Sequence, residues 1–119
     1  MTDRHPGFDR LLAVWNGSAD LTDLDALVTS DYVGHIGSRR RDLARLKDDI
    51  EAHRAAAPGV VFHVEEQFRS GERLATRLIA RRPGRSQDET IRGLNTSRWR
   101  NGLLAEEWAV WESFPTTGS

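Results

Sequence analysis

Apolar residues recur along this chain at two different periods, and the change falls at Pro58-Gly59. Before it, Phe8, Leu11, Leu12 and Trp15 fall at helical spacing and predict a first helix that stops at Asn16-Gly17. Leu21, Leu24, Leu27 and Val28 predict a shorter second helix, with Asp20 or Thr22 as its cap. Tyr32, Val33 and Ile36 mark a short strand over Asp31–Ile36. Leu43, Leu46, Ile50, His53 and Ala57, at offsets of three and four, give a third helix that Asp42 starts and Pro58-Gly59 ends. After that point Val60, Phe62, Val64 and Phe68 alternate with polar residues until Gly71. A second strand runs from Leu74 to Arg82, a polar loop over Arg85–Glu89, and a closing hairpin pairs Thr90–Arg100 with Leu103–Ser113. Three helices with one strand among them, then four antiparallel strands in succession, make an α+β order: a curved sheet with helices on one face. Residues 8–113 read as one domain, between a flexible lead at 1–7 and a flexible tail at 114–119.

Composition narrows the classes. With 119 residues, 38% of them hydrophobic and 29% charged, the chain builds a thin core. A formal net charge of −1 removes the electrostatic case for nucleic acid or an anionic membrane as the main partner. No apolar run approaches the roughly 20 residues that cross a bilayer. The absence of cysteine excludes disulfides and thiolate chemistry and fits a cytoplasmic address. The spacings of His35, His53 and His63 match no metal motif, so no metal or other cofactor is expected. Arg39-Arg40-Arg41, just ahead of Asp42, reads as a solvated loop, and His63 as a surface residue.

Four tryptophans in so short a chain point to a core, a pocket or an interface, because an exposed indole is costly. A three-residue loop of Arg100-Asn101-Gly102 would pair Trp99 with Leu103. Gly93, Asn95, Ser97 and Trp99 then share a face with Ala105, Glu107, Ala109 and Trp111, and this small-and-polar face between indoles suits a pocket wall. Leu94, Trp108 and Val110 lie on the other face, as a homodimer contact would. Glu107 is the candidate acid or base, since burial of a carboxylate in an apolar pocket favours its neutral form; its alternative is a partner for Arg77 or Arg98. His35, at the end of the first strand, is a candidate proton shuttle or ligand anchor, or else is bonded to backbone. His53 faces inward from the third helix, as a core residue or a ligand contact. Trp15, Tyr32, Trp99 and Trp111 form a possible aromatic lining or ordinary core packing.

Several phrases in this order resemble the SnoaL-like polyketide cyclases of the nuclear transport factor 2-like superfamily. They are Asp23-Leu24-Asp25-Ala26-Leu27-Val28, Asp31-Tyr32-Val33-Gly34-His35, Arg54-Ala55-Ala56-Ala57-Pro58-Gly59, Gly71-Glu72-Arg73-Leu74-Ala75-Thr76-Arg77 and Gly102-Leu103-Leu104-Ala105-Glu106-Glu107-Trp108. The resemblance implies a cone-shaped sheet around helices, an apolar pocket and a homodimer through the outer sheet face. It also implies an aspartate and a histidine as the acid/base pair of an aldol closure, at positions held here by Ala109 and Asn95. An Asp-Arg-Asp set of the superfamily's epoxide hydrolases would put its arginine at Arg77, with Ile79 where a carboxylate belongs. Binding, or cofactor-free acid/base transformation, of a hydrophobic cyclic or polyketide-like molecule is therefore expected, with Glu107 or His35 moving the proton and Asn95 and Arg77 holding an oxyanion. The alternatives are a non-catalytic ligand-binding module and a structural dimerisation domain.

Overall fold

Helical spacing before Pro58 and alternation after it translate into two layers. A computed structural model of the chain describes residues 4–82 and 89–112. Helix α1 spans Pro6–Trp15, a 3-10 helix Leu21–Ala26, strand β1 Val28–Ile36, β2 Arg39–Arg41, helix α2 Leu43–Ala56, β3 Val61–Ser70, β4 Arg73–Arg81, β5 Thr90–Arg100 and β6 Leu103–Trp111. The strands form one curved, unclosed sheet in the order β2-β1-β6-β5-β4-β3. Every neighbouring pair is antiparallel except β1 with β6, which run parallel. The α+β architecture expected from the sequence is the one found.

Phe8, Leu11, Leu12 and Val14 of α1 and Leu46 and Ile50 of α2 meet Leu74, Leu78, Trp99 and Leu104 of the sheet in one core. Each such side chain, fully withdrawn from water, contributes about 1.5–3 kcal/mol before the entropy of ordering is set against it. Asp42 caps α2 as its position implies, accepting from the Arg45 N–H at 2.9 Å. Among the described residues no helix is long and apolar enough to cross a membrane.

The sequence expectations shift in four places. The second helix is a short 3-10 segment, and Val28 opens β1 instead of closing a helix. The Leu27 N–H still closes the 3-10 turn on Leu24 C=O at 3.0 Å, but the Leu27 C=O accepts from the Leu104 N–H at 2.9 Å, so the chain passes there from the turn to β6. Residues 4–7 of the supposed lead are structured. His5 caps α1 by accepting from the Phe8 N–H at 3.1 Å, its own N–H donates to Gln67, and its ring lies 4.3 Å from that of Trp99. Arg39–Arg41 form edge strand β2 and not a solvated loop: the register sets Arg41 against Gly34, and only 7% of the Arg41 side chain is exposed.

The fourth shift is the closing turn. Asn101 and Gly102 both have positive φ, 54° and 79°, so the connection is a two-residue turn that pairs Arg100 with Leu103. A register shift between Arg98 and Trp99 follows, pairing Trp99 with Leu104 and Arg98 with Glu106, which leaves Ala105 as the bulge residue. The bulge restores the parity expected for Glu107, Ala109 and Trp111 but turns Leu104 inward, where it is fully buried. His63 is exposed, as its alternation indicates. Residues 1–3, 83–88 and 113–119, which include most of the Arg85–Glu89 loop, Ser113 and the tail, lie outside the described residues.

Candidate functional site

Three neighbouring strands place Arg41, Gly34 and Glu107 in one row across the inner face, since Gly34 pairs with Arg41 on one side and with Glu107 on the other. Because Gly34 has no side chain, Arg41 spans β1 and reaches Glu107. Its Nη2 donates to Glu107 Oε2 at 3.1 Å, its Nε donates to the Tyr32 hydroxyl oxygen at 3.0 Å, and its Nη1 donates to Asp49 Oδ2 at 3.1 Å. The Tyr32 hydroxyl donates to Glu107 Oε2, and Asn95 Nδ2 donates to Oε1 at 2.9 Å. A Cβ on Gly34 would overlap the Tyr32 hydroxyl and stand 3.0 Å from Arg41 Cγ and Nε, so the glycine makes the space in which these groups meet.

Only 4% of the Glu107 side chain is exposed. An uncompensated carboxylate at that depth would cost several kcal/mol, and the adjacent guanidinium offsets this. Burial raises the Tyr32 pKa, and the neighbouring Glu107 charge raises it further, so the phenol stays protonated and acts as a donor. For Arg41 burial works against the charged form, but Glu107 and Tyr32 outweigh it and hold the guanidinium firmly protonated.

This cluster forms one wall of a pocket of about 470 Å³ between the helices and the sheet. Phe8, Leu11, Leu12, Leu78 and Ala80 supply apolar lining. Trp15, His53, Phe62 and Trp111 form an aromatic chain: His53 meets Trp15 edge-on at 5.7 Å and Phe62 at 4.9 Å, and Phe62 lies 5.3 Å from Trp111. Gly93 carries the Trp111 indole directly against its Cα, where any side chain would overlap the ring. The Arg41 guanidinium carbon stands 5.6 Å from the centre of the Trp15 ring. Burial lowers the pKa of His53, so its imidazole is neutral at neutral pH.

Of the residues singled out from the sequence, Glu107, Asn95, Ala109, Trp15, His53 and Trp111 line the pocket, and Tyr32 supports it from beneath. Three do not. His35 lies on the opposite face of the sheet, stacked on Trp108 at 5.1 Å with its Nε2 2.9 Å from Glu106 Oε2. The parity of β1 sets Tyr32 and Gly34 inward and His35 outward. Arg77 also faces out, paired with Glu65 at 2.8 Å and Glu66 at 2.9 Å. Trp99 is buried in the core near the closing turn, with Nε1 donating to Ser97 Oγ at 2.9 Å, and lies outside the pocket lining. Arg98 likewise pairs with Glu106, not with Glu107.

Sequence reasoning missed Arg41, Asp49 and Phe62. The Arg39–Arg41 run read as solvent-facing because nothing local distinguishes its third arginine. A small residue at Gly34, two positions after a tyrosine, was the available signal. Among the described residues no group of three or more His, Cys, Asp or Glu side chains is placed to hold a metal ion.

A loop-truncation variant of IdmH resembles this structure over 89% of this chain and 92% of its own, with 25% identity and a TM-score of 0.76. Wild-type IdmH from Streptomyces antibioticus matches over 89% of each chain, at 23% identity and a TM-score of 0.75. A SnoaL-like polyketide cyclase from Agrobacterium tumefaciens matches over 95% of this chain and 94% of its own, at 17% identity and a TM-score of 0.74. Similarity at these identities speaks to the fold. A comparison with curated proteins finds no match. The pattern that defines the SnoaL-like domain matches residues 8–107, nearly the whole described chain. By that match and by its fold, the chain belongs to the SnoaL-like domain family.

Proposed function

We propose that this protein binds a hydrophobic, ring-bearing small molecule in the pocket and that Glu107 moves a proton on it without a cofactor. The observation that supports this most directly is a carboxylate that is buried, oriented by three donors and open to an aromatic-lined pocket. Among the described residues Glu107 Oε1 accepts from Asn95 alone, so a lone pair is left for the proton of an acidic C–H next to a carbonyl. The oxyanion role expected for Arg77 passes to Arg41, because Arg77 is on the outer face while Arg41 lines the pocket. Neutral His53, across the pocket on α2, takes the second proton-handling role first assigned to His35.

A non-catalytic binding module is the second proposal, favoured by the bonds that Glu107 already makes: Oε2 accepts from both Tyr32 and Arg41. Deuterium exchange at the α-carbon of 2-tetralone, followed by NMR, separates the two. Wild-type protein is expected to accelerate exchange, and Glu107→Gln to lose about 10²-fold or more of that acceleration while still binding the ketone. Binding without acceleration by the wild type would leave the binding module as the function. We further propose a homodimer through the outer sheet face, where cross-strand neighbours Leu94 and Val110 are 58% and 56% exposed and Trp108 adjoins them.

A further inference from the structure

Four charged side chains of the pocket lining stand in one row of alternating sign: Glu107, Arg41, Asp49 and Arg39. Arg41 Nη2 lies 3.1 Å from Glu107 Oε2 and Arg41 Nη1 3.1 Å from Asp49 Oδ2. Arg39 Nη2 stands 3.7 Å from the same Asp49 oxygen. Side-chain exposure climbs along the row, from 4% at Glu107 through 7% and 19% to 60% at Arg39. The row therefore runs from the depth of the pocket to its rim.

Its two ends are unlike. At the inner end the Glu107 charge is met by donors on both oxygens, from Tyr32, Arg41 and Asn95. At the outer end Arg39 approaches an Asp49 oxygen that already accepts from Arg41 at the shorter distance. The Arg39 guanidinium, with five N–H donors, makes no hydrogen bond to a described residue. Arg82, the third arginine of the lining, lies 3.6 Å from Glu89. The register of β2 aims Arg39 inward: it sits directly opposite Ile36, two residues from the Gly34–Arg41 pair, and both Ile36 and Arg39 line the pocket. Arg40, opposite His35, takes the other face.

We infer that the ligand of this pocket is a ring-bearing acid, whose ring lies against the apolar and aromatic lining and whose carboxylate meets Arg39 at the rim. This deepens the proposed small-molecule binding and rests on it. An anion is the group that continues the alternation beyond Arg39, and a planar carboxylate matches the fork of a guanidinium. The same placement keeps the acid at the far end of the row from Glu107, so the two carboxylates do not face each other. A neutral amide of equal shape also offers an acceptor there but brings no charge.

Three probes on the intact protein test this by titration calorimetry: 2-naphthoate, its neutral isostere 2-naphthamide, and naphthalene. 2-Naphthoate, ionised at neutral pH, is expected to bind about fivefold more tightly than the amide. Arg39→Gln should narrow that gap to about twofold or less. Arg40→Gln removes the same charge one residue on, from the outer face, and should leave the gap at about fivefold. Equal binding of acid and amide to the wild type would overturn the acid requirement and leave the pocket proposal standing. A gap that survives in Arg39→Gln, or that falls equally in Arg40→Gln, would overturn the assignment to Arg39. No binding by any probe would overturn the pocket proposal and this inference with it. Should Arg39→Gln fail to fold, the wild-type comparison still decides, and Arg39→Met, which keeps the apolar stem and removes the charge, replaces it.

Discussion

Asn95, Glu107 and Arg41 divide their work by what each atom can donate or accept, and His53 stands apart from them as a neutral base on the helix side. Burial holds the His53 imidazole below its ordinary pKa, so between that lowered value and the unfolded value near 6.5 the unfolded chain binds more protons than the folded one. Stability therefore rises with pH through this window and is lost as pH falls below about 6.5. The melting temperature is expected to drop between about pH 7.5 and pH 5.5, and His53→Phe should flatten that drop. His5, lowered first by burial and then by Arg69, shifts in the same direction and accounts for slope that remains in the variant. Identical pH profiles for the two proteins would refute a desolvated His53.

At the scale of elements, the site depends on three strands keeping one register. Gly34 is the element-level residue, because β2 and β6 reach each other only across its empty position. Gly34→Ala is expected to cost about 1–3 kcal/mol in denaturant unfolding through overpacking against the Tyr32 hydroxyl. Tyr32→Phe removes the atom that the new methyl would strike, so the double variant should be more stable than the sum of the single costs implies. Strict additivity in that cycle would show that Gly34 does not make room for Tyr32. The Ala105 bulge works at the same scale. It lets a two-residue turn deliver the inward parity of Glu107, Ala109 and Trp111 that a three-residue loop was expected to give.

Over the whole molecule the sheet has two unlike faces. The inner one meets the helices and the pocket; the outer one mixes ion pairs such as Arg77 with Glu65 and Arg98 with Glu106 with the exposed side chains of Leu94, Val110 and, further out, Phe68. The proposed homodimer predicts sedimentation at twice the 13.4 kDa chain mass, and Leu94→Lys with Val110→Lys should return the monomer. A wild type that sediments at 13.4 kDa would remove this interface. The His35, Trp108 and Glu106 stack, on the same face, belongs to that surface and not to the pocket; His35 and then Arg98 hold the Glu106 carboxyl below its usual pKa.

Periodicity alone determined most elements: α2 with its Asp42 cap, the two strands of the final hairpin, and the alternation that groups Glu107 with Ala109 and Trp111, because side-chain direction within one helix or strand is a local property. Arg41 and Phe62, by contrast, entered the site only through tertiary structure. Whether an arginine in a basic run faces water or crosses a glycine to a carboxylate 66 positions away depends on which strands pair, and that is set by the packing of the whole sheet. For the histidines, helical spacing alone turned His53 inward, whereas which face of β1 meets the helices, and so the outward side of His35, was decided by how the sheet packs.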